Sequence, residues 1–252
     1  MRGRTGRYGY GGRVPLVAAA VCPHPPLIVP ELAGAAAGEL DELRAAADAA
    51  LARLLAAGPD EILLVGAGPR TERFGHADYG SLRGYGLSRY VRLWKTNCSG
   101  TETLPLSLTI GAWLVGRTGT DLPRLAHSVA EGTSLAECAE LGARLGGESG
   151  RRTALLVLGD GSACRGRQAP GYDDPRAPAY DDGVARALAD ADAEALLGLD
   201  PVLSAELKAA GRAPWQVLAG AARAAGGDWR GHLGYHEAPY GVSYFVANWA
   251  PA

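Results

Sequence analysis

His24, Asp160, His236 and Glu237 are the residues of this 252-residue chain whose types and settings suit shared chemistry. His24 stands in Cys22-Pro23-His24-Pro25-Pro26, directly after the apolar run Val14 to Val21. Pro lacks a backbone donor and pushes its predecessor out of the helical region, so the run reads as a strand stopped at a stiff turn. Asp160 stands in Gly159-Asp160-Gly161-Ser162, after the apolar run Thr153 to Leu158. His236 and Glu237 open a Pro- and Gly-containing segment that reads as a loop near the end of the chain. Imidazole and carboxylate together suit a first-row metal such as iron or zinc. The same groups serve as acid and base near neutral pH.

These residues converge only if the right elements carry them. Val14 to Cys22, Glu61 to Val65 and Thr153 to Leu158 are apolar runs of strand length, as expected of strands buried on both faces. Between the first two, Leu40, Leu43, Ala47, Leu51 and Leu54 recur at helical spacing until Gly58-Pro59. Strand, helix, strand is a βαβ unit, hence a parallel pair. Open parallel sheets place ligands outside the carboxyl ends of their strands, which is where His24 and Asp160 fall.

Further helices are expected over Pro105 to Arg117, from the capping box at Ser134 to about Leu145, and in three patterns between Asp181 and Ala225. Phe74 to Thr103 shows no period and reads as a long loop. Val242 to Trp249 is β-branched and aromatic, so the chain closes with a strand, antiparallel to its neighbour Trp229 to Tyr235. The fold expected is a single α/β domain over residues 14–252, with a central, mostly parallel sheet, helices on both faces and an antiparallel C-terminal strand pair. Residues 1–13 hold four Arg, two Tyr and no acid, and read as a solvated Arg/Gly-rich tail that cannot bury enough apolar surface to order itself.

Composition excludes several classes. The formal net charge is -2, which gives no electrostatic case for nucleic acid or an anionic membrane surface. No run reaches the ~18 apolar residues of a membrane helix. The four cysteines are scattered without CxxC spacing, which reads as a reducing cytoplasm rather than a disulfide framework or zinc knuckle. Leu16 to Cys22 imitates a lipoprotein signal but is short for one, and cutting there would remove a central strand.

Competing motifs are fragments. Gly66-Ala67-Gly68-Pro69 supplies only the first two glycines of a dinucleotide fingerprint. Asp160-Gly161-Ser162-Ala163-Cys164 lacks both glycines of a nucleophile elbow. Cys22 reads as a small buried hydrophobe. The acid pairs at Asp173-Asp174 and Asp181-Asp182 read as turn and helix-start residues.

Three segments together resemble the catalytic chains of the class III extradiol ring-cleavage dioxygenases, a superfamily that includes the Memo-like proteins. They are Ala20 to Pro26, Leu156 to Ser162 and Ala238 to Ala247, and the resemblance spans Val14 to Trp249. It implies a non-heme Fe(II) centre of two His and one Glu, opening a catechol-type aromatic with O₂, and a further His as acid/base. His24 matches the first ligand. The second ligand's turn reads Gly66-Ala67-Gly68-Pro69 here, without His, and Ala163 stands where the acid/base His would be.

Two expectations follow from the resemblance, and a third from the residues alone. One is a dioxygenase with rearranged ligands: His24, His76 and Glu237 on Fe(II), with Asp160 or His236 as acid/base. The second is a degenerate relative that needs no iron and binds a small molecule or a protein partner in the old crevice. The third is a metal-independent hydrolase.

Overall fold

The protein is described by a computed structural model covering residues 16–94, 104–146 and 150–252. The expected tail over 1–13 and Cys98 lie outside the described residues. In chain order the elements are β1 (Leu16–Cys22), α1 (Pro30–Ala33), α2 (Asp41–Ala56), β2 (Glu61–Gly68), β3 (Glu72–Phe74), β4 (Tyr79–Ser81), β5 (Tyr90–Arg92), α3 (Leu106–Arg117), β6 (Arg124–Ala130), α4 (Leu135–Leu145), β7 (Thr153–Leu158), α5 (Ala177–Asp190), α6 (Ala193–Leu197), α7 (Pro201–Glu206), α8 (Arg212–Ala225), β8 (Trp229–Glu237) and β9 (Tyr244–Pro251).

Seven strands form one sheet in the order β3-β6-β2-β7-β1-β9-β8, and β4 and β5 form a separate two-stranded ribbon. β6, β2, β7 and β1 are mutually parallel. β3, β9 and β8 each run antiparallel to a neighbour. The expected α/β architecture with its antiparallel C-terminal pair is therefore present. One detail differs: β1 and β2 are not adjacent, because β7 inserts between them. All three are apolar on both faces, so sequence pattern alone cannot order them.

The sheet separates two apolar layers. On one side α2 and α3 cover Ala18, Ala20, Leu64, Leu156 and Val246. On the other, α4, α5 and α8 cover Val21, Val65, Val157, Phe245 and Trp249, with Trp215 fully buried among them. The Ser134 cap forms as expected: its hydroxyl accepts from the Glu137 amide, and the Glu137 carboxylate accepts from the Ser134 amide. The segment read as a long loop is instead pinned in part by β3, β4 and β5. Three-residue strands are too short to show a period. Among the described residues no helix is long and apolar enough to cross a membrane.

Candidate functional site

The carboxyl edge of the parallel strands brings His24 and Asp160 together. β1 and β7 pair up to Cys22 and Leu158, and the Gly159 amide extends that ladder by donating to the Cys22 carbonyl. The next residues on the two strands meet directly. The His24 amide donates to Asp160 Oδ1 at 2.8 Å, and His24 Nδ1 lies 3.4 Å from the same oxygen. His24 is 9 % exposed, and its Nδ1 makes no hydrogen bond among the described residues. Burial pushes the Asp160 carboxyl above the usual carboxylate range, against the opposing pull of His24.

The turn that carries Asp160 is clamped from two sides. Asp181, fully buried on α5, accepts the Ser162 amide at 2.9 Å and the Ser162 hydroxyl at 2.6 Å, with Arg165 Nη1 at 3.4 Å. On the other side the Gly161 amide donates to the Ser243 carbonyl and the Ser243 amide to the Ser162 carbonyl. A Cβ at Gly161 would lie 2.6 Å from Phe245, 2.7 Å from Ser243 Cβ and 2.8 Å from Asp181 Oδ1, so the turn closes only with glycine there. Asp181 is thus no exposed helix-start residue: α5 begins at Ala177, which puts Asp181 in its second turn, and its side chain points into the core, so the expectation for Asp181-Asp182 misses both the position and the buried role. Its spacing of nineteen from Ser162 carries no local signal.

Aromatic groups face the pair. Tyr244 is buried at the start of β9, and burial followed by the charge of Asp160 raises its phenol above its ordinary value. The Tyr240 hydroxyl donates to Glu39 at 2.7 Å and ties the β8–β9 connection to the chain before α2. Beside it, Arg165, Tyr235, Glu237, Ala238 and Pro239 line an open cavity of about 450 Å³.

The remaining expected site residues fall elsewhere. β3 starts beside the carboxyl end of β6 and runs back toward its amino end, so His76, beyond Phe74, lies toward the opposite edge of the sheet. There it meets Trp94 edge-on at 5.7 Å, and Trp94 donates to the Asp121 carbonyl just before β6. His76 therefore does not reach His24. His236 and Glu237 are strand residues, not loop residues. His236 stacks on Phe245 at 4.7 Å and faces the α5/α8 layer, whereas Tyr244 faces the α2/α3 layer. Glu237 pairs with Tyr244 on the last strand of the sheet, with β9 between it and β1. Among the described residues no group of three His, Cys, Asp or Glu is placed to hold a metal ion.

The turn where the resemblance would place a second ligand is closely packed. A Cβ at Gly66 would lie 2.5 Å from the Ser107 hydroxyl and 2.9 Å from Ser107 Cβ, and one at Gly68 2.6 Å from Ser128 Cβ. The first turn of α3 sits on the end of β2, and the Ser107 hydroxyl bonds the Ala67 carbonyl. An imidazole does not fit where that turn sits. Among the described residues, an iron centre with two His and one Glu does not fit the side chains around His24.

No protein-family model and no curated protein matches this chain. The fold has a solved counterpart. The crystal structure of the uncharacterized protein JW3007 from Escherichia coli K12 matches 93 % of this chain and 99 % of its own, with 13 % identity and a TM-score of 0.52. At that identity the likeness concerns the fold alone.

Among the described residues the cysteines are buried and poorly suited as nucleophiles. Burial, then the charge of Asp48, pushes the Cys22 thiol up to about 12, and Cys164 is raised by burial as well.

The raised Asp160 carboxyl gives a pH test. Asp160's folded value is raised, so its contribution to stability is complete below the unfolded carboxylate range, about pH 4. It is lost as pH rises through the raised value. Asp160→Asn removes that loss while keeping an oxygen for the His24 amide. The variant should gain melting temperature relative to the parent as pH climbs from acid to neutral. A difference that stays flat with pH would show that Asp160 is not strained by burial.

Proposed function

We propose that this chain is a relative of the class III extradiol dioxygenases that has kept the crevice and lost the iron centre. It binds a small aromatic molecule beside His24 and does not open the ring. The observation that supports this reading is the state of the three ligand positions. His24 stands at the first, α3 packs against Gly66 and Ser128 of β6 against Gly68 at the second, and Glu237 lies two strands away from β1. What remains is a buried imidazole and a half-buried carboxyl, near Tyr244. That set can accept a hydroxyl hydrogen bond at the imidazole and offer a ring face, which suits a phenol or catechol.

One observation favours the dioxygenase reading: His24 Nδ1 is buried without a hydrogen bond, as a metal-binding nitrogen would be before loading. A facial triad needs two further donors around the same point.

The test is a titration of chelator-treated protein with 4-nitrocatechol, read by its absorbance. Saturable binding is expected, weakened by roughly three- to tenfold by His24→Ala through loss of the hydrogen bond at the imidazole. Added Fe(II) should produce no O₂ uptake. Ring-opened product with Fe(II) would establish the dioxygenase reading instead. Absence of any saturable binding would remove the crevice as a ligand site.

A further inference from the structure

β8 is the last strand of the sheet, and among the described residues no strand pairs with its outer edge. Nine residues long, it presents a row of backbone donors and acceptors to solvent. Neither Pro nor Lys interrupts it. Arg230, His232 and Glu237 on it are exposed, and Arg230 and Glu237 have no ion-pair partner among the described residues.

The faces of β8 are set by its bulge. Arg230 and His232 pair with Ala250 and Asn248, and Asn248 bonds the Ala50 carbonyl of α2, so both lie on the α2 side. Gly231 and Leu233 pair with Trp249 and Ala247, which face the α5/α8 layer. The register shifts between Leu233 and Tyr235, leaving Gly234 as the extra residue. After it, Tyr235 and Glu237 pair with Val246 and Tyr244 on the α2 side, and His236 returns to the other side. Without the bulge, Arg230 and Glu237 would lie on opposite faces.

We propose that β8 is the surface on which two copies of this chain join, their β8 strands antiparallel about a twofold axis. In the register that sets Arg230 opposite Glu237 of the partner subunit, every facing pair falls on one common face of the sheet. Arg230 meets Glu237, Gly231 meets His236, His232 meets Tyr235, and Leu233 meets Gly234, each pair occurring twice by symmetry. Two opposite-charge pairs flank the axis and no like charges face each other, which is the pattern that stabilises antiparallel pairing. The glycines stand opposite the large side chains His236 and Leu233, leaving them room. Shifted by one residue, Arg230 would face His236 and the two would lie on opposite faces. The occupant of this edge is therefore a second copy of the chain, and the two seven-stranded sheets continue into each other.

The test is light scattering on the full chain over a concentration series, with three variants. The parent is expected to dimerise with rising concentration. Glu237→Arg and Arg230→Glu each place two like-charge pairs at the joint and should raise the dimer dissociation constant about tenfold or more. The double variant carrying both changes restores the pairs with the charges exchanged, and should return to within about threefold of the parent. Recovery in the double variant also shows that neither change simply unfolds the chain. A parent that stays monomeric throughout, a dimer unmoved by either single change, or a double variant as weak as the singles would overturn the proposal.

Discussion

Asp181→Ala is expected to lower the stability of this protein by about 3 kcal/mol, the cost of leaving two buried donors unpaired. The Ser162 amide and hydroxyl both end on this carboxylate, and Ser162 and Asp181 are each 0 % exposed, so water cannot take its place. Arg165 would lose its partner too, but its side chain is 29 % exposed and hydration recovers most of that contact. Asp181→Asn keeps one acceptor and should cost roughly half as much. Urea denaturation measures both. The damage should reach the site as well, because Asp160 is two residues from Ser162 in the same turn. A loss below about 1 kcal/mol for the alanine variant, within the range of an ordinary exposed substitution, would mean that the turn is held by its backbone bonds to the chain around Ser243 alone.

Gly142→Val should be as costly, by about 3 kcal/mol, through overpacking rather than lost bonds. α4 crosses α8 where Gly142 and Gly220 face each other's backbones. A Cβ at Gly142 would sit on the Val217 carbonyl and 2.7 Å from the Ala221 amide, and one at Gly220 would lie 2.7 Å from Ala139 Cα. No side chain can rotate out of the way of a backbone atom, so the helices must separate. α8 also carries Trp215, Val217 and Leu218 into the core, so separating them opens voids under the sheet. For a chain of this size the melting temperature should fall by roughly 6–12 °C. A variant that melts within about a degree of the parent would show that the two helices have room to spare at their crossing.

The fold is largely legible because its strands are plain. Leu16 to Cys22, Glu61 to Val65 and Thr153 to Leu158 are uninterrupted apolar runs, and a fully buried strand writes itself that way. The place of β7 between β1 and β2 is not legible, since three apolar strands are interchangeable by composition. His24 and Asp160 stand out through the turns that end their strands, and they do meet. His76 reaches the wrong edge of the sheet for a ligand because of the direction of β3, a three-residue strand without a pattern of its own. His236 and Glu237 read as loop because Pro239 and Gly241 follow closely, whereas β8 runs on to Glu237 through its pairing with β9 up to Tyr244. The role of Asp181 is hidden because its partner Ser162 lies nineteen residues upstream, and burial of a carboxylate is written in tertiary contacts alone.

Under the proposed function, His24 and Asp160 are what survives of a site without its iron triad. The most direct measurement of that claim is iron content after anaerobic loading of the parent and of His24→Ala with Fe(II), followed by desalting. Both should retain the same small, substoichiometric amount, because one imidazole and one carboxyl do not replace three ligands. One iron per chain in the parent, lost in His24→Ala, would contradict the claim and return the protein to the iron-dependent ring-cleaving enzymes.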